Sequence, residues 1–474
     1  MAKVADVART QATASFSRFS LFYTSVFALK LASTPLLAYL TEPLPWYVPQ
    51  RSIVEWDSFD AFNNATFSYL FELYNSQTLH PDRDSHFDSS TATYVVRRKQ
   101  ILPLQMVPTA SFSSYLIHFP GAMFYGSGMQ SFVASFLNQD AADRPTTGLF
   151  HCQRNYYYSG TSSDSCIWLE RLAREDDSDD VYMVYFGTVV WESTTWSWCK
   201  LAYRCLLTLY ILRVFWQRYY RHFQHLLNNL RNIGIDKKYC HYEVIVGDPT
   251  YLIICDPCIS IVMMADIMVN PAYCCWSTLR VSLYNDLMTF SLGCLYSTRF
   301  VWFGYFIMLV LSYLVKARRW DLQFVPLDPV ILGLGAVLYA GPVFTLIGNT
   351  QLMVTWDVFL PPALKYRDVD YTIGMIMGAV IMAIFPPCLA FTLGRVARLR
   401  PRLDRALEDL SSKWANFKDK LWCPCKSKSY GHSIAPDQLL QASNGRSEHS
   451  RLHLHSQRAF NDLKNRLLFA VIRC

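Results

Sequence analysis

Charged side chains are scarce in this chain of 474 residues: Asp, Glu, Lys and Arg make up 17%, against 52% hydrophobic and 15% aromatic residues. That balance is too oily for an ordinary soluble chain of this length. Also missing are a glycine-rich phosphate loop, a His/Cys cluster at metal-ligand spacing and any clustered nucleophile, base or paired-acid pattern. No catalytic residue, metal or cofactor is therefore called for, and a non-enzymatic protein is expected. The loop Thr350 to Asp370 contains no glycine and offers no recognisable ion-selectivity filter.

What is present is a set of long apolar runs, among them Val301 to Val315, Val330 to Gly348 and Ile373 to Leu393. They approach or reach the ~20 residues a helix needs to cross ~30 Å of hydrocarbon. Basic clusters at Arg213 to Lys238, Lys316 to Arg319 and Arg395 to Arg405 each follow such a run and read as cytoplasmic anchors. Between Thr41 and Lys200 the sign reverses, with 18 acids against 10 bases, net 10 − 18 = −8, so the remainder carries 7 + 8 = +15. The positive excess beside the spans fits anionic inner-leaflet lipid better than nucleic acid.

The expected fold is an α-helical multi-pass membrane protein of about six spans, both termini cytoplasmic, with a mixed α/β extracytoplasmic domain between spans 1 and 2. Residues 1–20 form a cytoplasmic tail and 21–40 the first span, a retained signal anchor rather than a cleaved signal. Residues 41–196 are the outer domain, 197–397 the membrane domain with five further spans, and 398–474 a cytoplasmic tail. The spans after the first are placed at Trp198 to Trp216, Tyr251 to Val269, Phe300 to Val315, Pro329 to Asn349 and Tyr371 to Arg395. Parity of the basic clusters makes Pro271 to Thr298 a re-entrant or interfacial segment. The plasma membrane is the expected location.

In the outer domain, strand-like pieces stand at Ala92 to Val96 and Val181 to Val190. Asn64-Ala65-Thr66 is a glycosylation sequon on the outer side. Cys152 and Cys166 are the only cysteines between Thr41 and Trp198 and are expected to form a disulfide that fixes Tyr156 to Gly160 as a surface loop. The acidic run Glu175 to Asp180 lacks the glycine and spaced ligands of a calcium loop and reads as a solvated turn.

Lys200, Arg204 and Arg213 interrupt the second span and must snorkel or face protein. Asp256 and Asp266 lie ten residues apart on nearly one helical face of the third span, and Asp286 follows in the ambiguous segment. Intramembrane carboxylates are functional candidates, so the three acids mark a candidate ion pathway. The structural alternative makes Asp256 a turn residue before Pro257 and pairs Asp266 with Arg280, Arg299 or a hydroxyl. Gly374 and Gly378 give the last span a small surface for close contact, and Pro386-Pro387 interrupts its hydrogen-bond ladder.

Leu403, Leu407, Leu410, Trp414, Phe417 and Leu421 define an amphipathic helix over 403–421, suited to a coiled coil or to the bilayer surface. Cys423 and Cys425 end it as candidate palmitoylation sites. Phe460, Leu463, Leu467 and Val471 predict a last short amphipathic helix.

Two stretches carry a family likeness: Tyr242-Glu243-Val244-Ile245-Val246-Gly247-Asp248-Pro249-Thr250, and Leu295-Tyr296-Ser297-Thr298-Arg299-Phe300-Val301-Trp302-Phe303. They resemble multi-pass membrane proteins expanded in water moulds, a likeness that brings no established activity with it. The layout of one span, an outer domain and five further spans is also similar to polycystin and mucolipin channels, at the level of topology alone. The expected function is a surface receptor or membrane scaffold acting through the outer domain, with an ion channel or transporter as the alternative. Expected partners are the lipid bilayer, anionic inner-leaflet lipids, further copies of the chain and an extracellular ligand.

Overall fold

The computed structural model describes residues 13–16, 18–80, 83–108, 111–140, 143–144, 149–172, 179–232, 241–246, 251–318, 356–363, 368–399 and 468–472, with residues 341, 343, 347 and 350 singly. A six-stranded sheet forms the body of the α/β domain expected on the outer side, in the order β2 (Ser85–Asp88), β3 (Thr93–Pro103), β6 (Asp179–Val190), β5 (Gly160–Arg171), β4 (Phe150–Tyr157) and β8 (Val369–Asp370). Its pairings are antiparallel except β4 with β8, which run parallel. β5 and β6 are buried along most of their length, which is why Val181 to Val190 reads as a near-continuous apolar run and not as an alternation.

One face packs against helix α2 (Phe59–Leu73), whose Phe62 and Leu70 sit over Trp168, Tyr185 and the Cys152–Cys166 disulfide. Trp168 and Tyr185 stack at 5.1 Å, and a side chain at Gly187 would strike the Trp168 ring at 2.9 Å. The other face packs Ile167, Val184 and Phe186 against α4 (Ser127–Leu137) and continues into the helix bundle, where Tyr94 stacks on Trp276 at 4.7 Å. Sheet and bundle thus share one apolar core.

The bundle contains α1 (Arg18–Ala32), α5 (Thr194–Phe215), α6 (Arg221–Asn232), α7 (Tyr251–Ile254), α8 (Pro257–Met268), α9 (Pro271–Val281), α10 (Leu287–Ser297), α11 (Val301–Ala317) and α12 (Thr372–Leu399). A short outer-domain helix, α3, covers Phe112–Leu116. Among the described residues, two helices are long and apolar enough to cross a membrane: Leu287–Val315, which joins α10 to α11, and Thr372–Thr392 within α12. A third is added if α8 and α9, bent by 82° at Asn270, count together. Six spans are not shown. α1 gives way at Pro35 to a 3-10 turn over Thr34–Leu40, α5 carries three bases, and Pro329 to Asn349 lies outside the described residues except for single positions. Pro271 to Thr298 folds as the antiparallel pair α9 and α10 against the outer sheet, where Arg98 reaches Ser282 O at 3.5 Å. α12 continues through Pro386-Pro387 as one element, because a missing donor weakens a ladder locally without ending a well-packed helix.

A second sheet has the order β1 (Thr13–Phe16), β7 (His241–Val246), β9 (Leu468–Ile472), with β1 parallel and β9 antiparallel to β7. Of the helix expected from Phe460, Leu463, Leu467 and Val471, the first three lie outside the described residues, and its end is corrected: Leu468–Ile472 is a strand. Four apolar residues in a short window satisfy either period, and an open strand edge decides between them. The helix 403–421 and Cys423 and Cys425 lie outside the described residues.

Candidate functional site

The disulfide ties register partners of the β4–β5 hairpin, Cys152 and Cys166. Its two-residue tip has positive φ at Tyr158 (46°) and Ser159 (65°), the conformation that matches the twist of the flanking strands. The tip does not stand free: Tyr157 Oη donates to Met268 O at 2.6 Å and Tyr158 N donates to Thr372 Oγ1 at 2.8 Å. β8 then lies beside β4 and leads straight into α12, with Tyr371 N donating to Tyr156 O at 2.9 Å. The six-stranded sheet is hung on the ends of α8 and α12.

Beside this joint lies the most heavily charged region of the interior. Thr41 N and Glu42 N both donate to Ala38 O at 3.0 Å, which turns the chain after the 3-10 turn and tucks Glu42 against the bundle. On α5, started by Ser193 accepting from Trp196 N at 3.2 Å, Lys200 and Arg204 stand four residues apart and so share a face with buried Leu207 and Ile211. Asp266 lies in the last turn of α8, and Arg299 in the 3-10 turn Thr298–Phe300.

These side chains converge. Glu42 accepts from Arg204 through both oxygens, at 2.7 and 3.0 Å, and from Asn270 at 2.7 Å, Tyr296 at 3.0 Å and Lys200 at 3.3 Å. Asp266 accepts from Arg204 Nε at 2.7 Å and from Arg299 Nη2. Lys200 also meets Glu192 at 2.7 Å, and Arg299 Nη1 lies 3.7 Å from Glu42. Three acids, Glu42, Glu192 and Asp266, balance three bases, Lys200, Arg204 and Arg299, and none of the six side chains is more than 4% exposed. Isolated charges at this burial would each cost several kcal/mol, so neutrality of the set is what permits it.

Burial by itself would raise the Glu42 carboxyl, but the Arg204 guanidinium and Lys200 ammonium outweigh it and hold the acid well below the ordinary carboxylate range. Glu192 goes the other way, raised by burial that Lys200 only partly offsets. In the sheet, burial likewise raises Asp164 although Arg154 clasps it at 2.9 and 3.1 Å.

The three candidate pathway acids have separate surroundings. Asp256 caps α8, accepting from Cys258 N at 3.0 Å and from Arg218 Nη1 at 3.0 Å. Asp266 belongs to the neutral cluster. Asp286 caps α10, accepting from Met288 N and Thr289 N at 3.0 and 3.1 Å. No hydrogen bond or ion pair among the described residues links the three. Asn64 is exposed on α2, while Thr66 of its sequon is buried. Asp180, at the end of the acidic run, is buried against Arg171 at 2.7 Å. Sequence reading missed Glu42, Glu192, Asn270 and Tyr296; the one available signal was Lys200 and Arg204 on a single helical face, a pair that demands acids from elsewhere. No group of three His, Cys, Asp or Glu able to hold a metal occurs among the described residues.

Compared with protein-family models, with curated proteins and with solved structures, the chain matches none. No family is shown. What the site does is therefore read from its own chemistry: it is closed, neutral and built from four separate chain segments, a joint and not a cleft.

Proposed function

We propose that the chain is a multi-pass integral membrane protein that acts as a surface receptor or scaffold, its outer domain joined rigidly to the helices by the Glu42 cluster. The cluster carries this reading, because it ties the residues before and after the outer domain, Glu42 and Glu192, to α5, α8 and the α10–α11 turn. A partner that shifted the outer sheet would load the helices directly. A bilayer setting is supported by α5, whose bases at 200 and 204 turn inward while Trp198, Tyr203, Leu206, Leu209 and Tyr210 are exposed. Trp198 and Trp216 bracket that face, roughly 27 Å apart at 1.5 Å per residue, close to the hydrocarbon thickness. The small sheet supports termini on one side, since β1 precedes α1 and β9 follows α12 and both pair with β7. Six crossings, an outer face glycosylated at Asn64 and a plasma-membrane location belong to this reading, as do anionic inner-leaflet lipid and self-association.

The ion channel or transporter reading keeps one observation, Pro386-Pro387 within a helix long enough to cross. Ion flux into liposomes bearing wild type or Asp266→Asn, at matched protein amount and across a pH range, separates the two. Flux at the protein-free level from well-folded wild type is expected. A wild-type flux lost in the variant would overturn the receptor reading and make the cluster part of a pathway.

A further inference from the structure

A cavity of about 60 Å³ lies below the joint, between α9, the α10–α11 turn, residues 356–360 and α12. Its walls are mostly apolar, with Cys275, Phe300, Leu360, Met375 and Met382 among them, and the hydroxyls of Thr278, Ser297 and Tyr371 on its rim are already bonded to Cys274 O, Ser277 Oγ and Phe124 O. Two glycines of α12 face it, and they differ in kind. A side-chain carbon at Gly374 would meet Leu360 at 3.1 Å, so that glycine serves close packing; at Gly378 it would meet nothing within 4 Å. Among the described residues, none fills the space beside Gly378.

A mostly apolar cavity whose hydroxyls are engaged within the protein holds water poorly, because a buried water needs two to four polar partners. The volume is roughly four times the minimum for one water, room for a short run of methylenes and too little for a fused ring system. Ile373, Ile376 and Val380 of the same helix are exposed beside it, on a span of the length and apolarity that a bilayer surrounds. We infer that the cavity is a binding site for part of an acyl chain of a bilayer phospholipid, held at the junction of outer sheet and α12. The assignment rests on the membrane reading above. An acyl chain there fills a gap in a contact through which the sheet, by way of Phe124 and Tyr371, meets the last helix.

The test uses the full chain in phosphatidylcholine liposomes containing a phosphatidylcholine with a photoreactive diazirine on its acyl chain. After irradiation, labelled peptides are mapped by mass spectrometry. Label, resolved to the residue, is expected at the buried Cys275 and Met382 side chains and also on the exposed α5 residues Leu206 and Leu209. In Gly378→Leu, and independently in Met382→Phe, cavity label should fall to background while α5 label persists; either variant that remains monodisperse on size exclusion suffices. Label on α5 but never in the cavity, or cavity label unchanged in the filled variants, would overturn the inference. Cavity label only from a photoreactive sterol would overturn the choice of occupant. Absence of label on α5 as well would bring down the membrane reading itself, and the inference with it.

Discussion

Glu42→Gln is the most informative single change, because it keeps the shape of the side chain and removes one charge from a balanced set of six. The amide retains one acceptor for Arg204, Asn270 or Tyr296, but the three buried bases then face only Glu192 and Asp266. Removing one partner of a buried ion pair costs about 3–5 kcal/mol through the charge left behind. For a domain of a few hundred residues this lowers the thermal midpoint by on the order of 10 °C. The assay is heat challenge of the detergent-solubilised protein followed by size-exclusion chromatography, repeated from neutral to acid pH. Glu42 has a lowered folded pKa, so its stabilisation is complete above the unfolded value of 4.5 and is lost as pH falls from there towards the folded value. Glu42→Gln should therefore flatten the acid limb as well as lower the plateau. Glu192 has a raised folded pKa, so its ionisation weakens the fold and that penalty is relieved as pH falls through the folded value towards 4.5. Glu192→Gln should consequently cost less than Glu42→Gln at neutral pH. Pairing Glu42→Gln with Lys200→Met, which restores neutrality, should recover part of the loss, a coupling of roughly 0.5–3 kcal/mol. A Glu42→Gln midpoint within a degree or two of wild type, or a double variant worse than the sum of the singles, would refute charge balance as the organising term.

The three candidate pathway acids should separate by role: Asp266→Asn costs several kcal/mol, whereas Asp256→Asn and Asp286→Asn, as helix caps, cost about 1 kcal/mol or less; equal midpoints for the three would contradict the assignment. Replacing Cys152 and Cys166 together by Ser should lower stability by less than the ~3 kcal/mol that chain entropy gives a loop of this size, since the hairpin already closes it, as a melt with and without reductant will report. Asn64→Gln should abolish an endoglycosidase-sensitive mass shift in material from a eukaryotic host, and a shift that persists, or is absent in wild type, would place α2 elsewhere than on the outer side.

Sequence carried the local part of this structure well. The strand-like pieces at Ala92 to Val96 and Val181 to Val190 fall in β3 and β6, save that Ala92 is a turn residue just before β3, and the Cys152–Cys166 disulfide and the long α12 were readable from spacing and composition. What escaped is pairing at a distance. Lys200 and Arg204 announce buried charge, but their partner Glu42 stands 158 and 162 positions away and looks, in sequence, like an ordinary residue after an apolar run. The Tyr156 to Gly160 segment has the signature of a loop; only its docking on Met268 and Thr372 shows that it is a contact surface. Leu468–Ile472 failed as a helix for the same reason, since β7 is what makes a strand of it.

The small sheet has a consequence for the order in which the molecule is made. β7 can pair with β1 as soon as both have been synthesised, but its other edge stays open until β9, whose Leu468 comes 468 − 246 = 222 residues after Val246. At 5–20 residues per second that is a wait of roughly 10–45 s, during which one edge of β7 lacks its partner strand. Whatever shields that edge in the interval decides how many chains reach the finished fold.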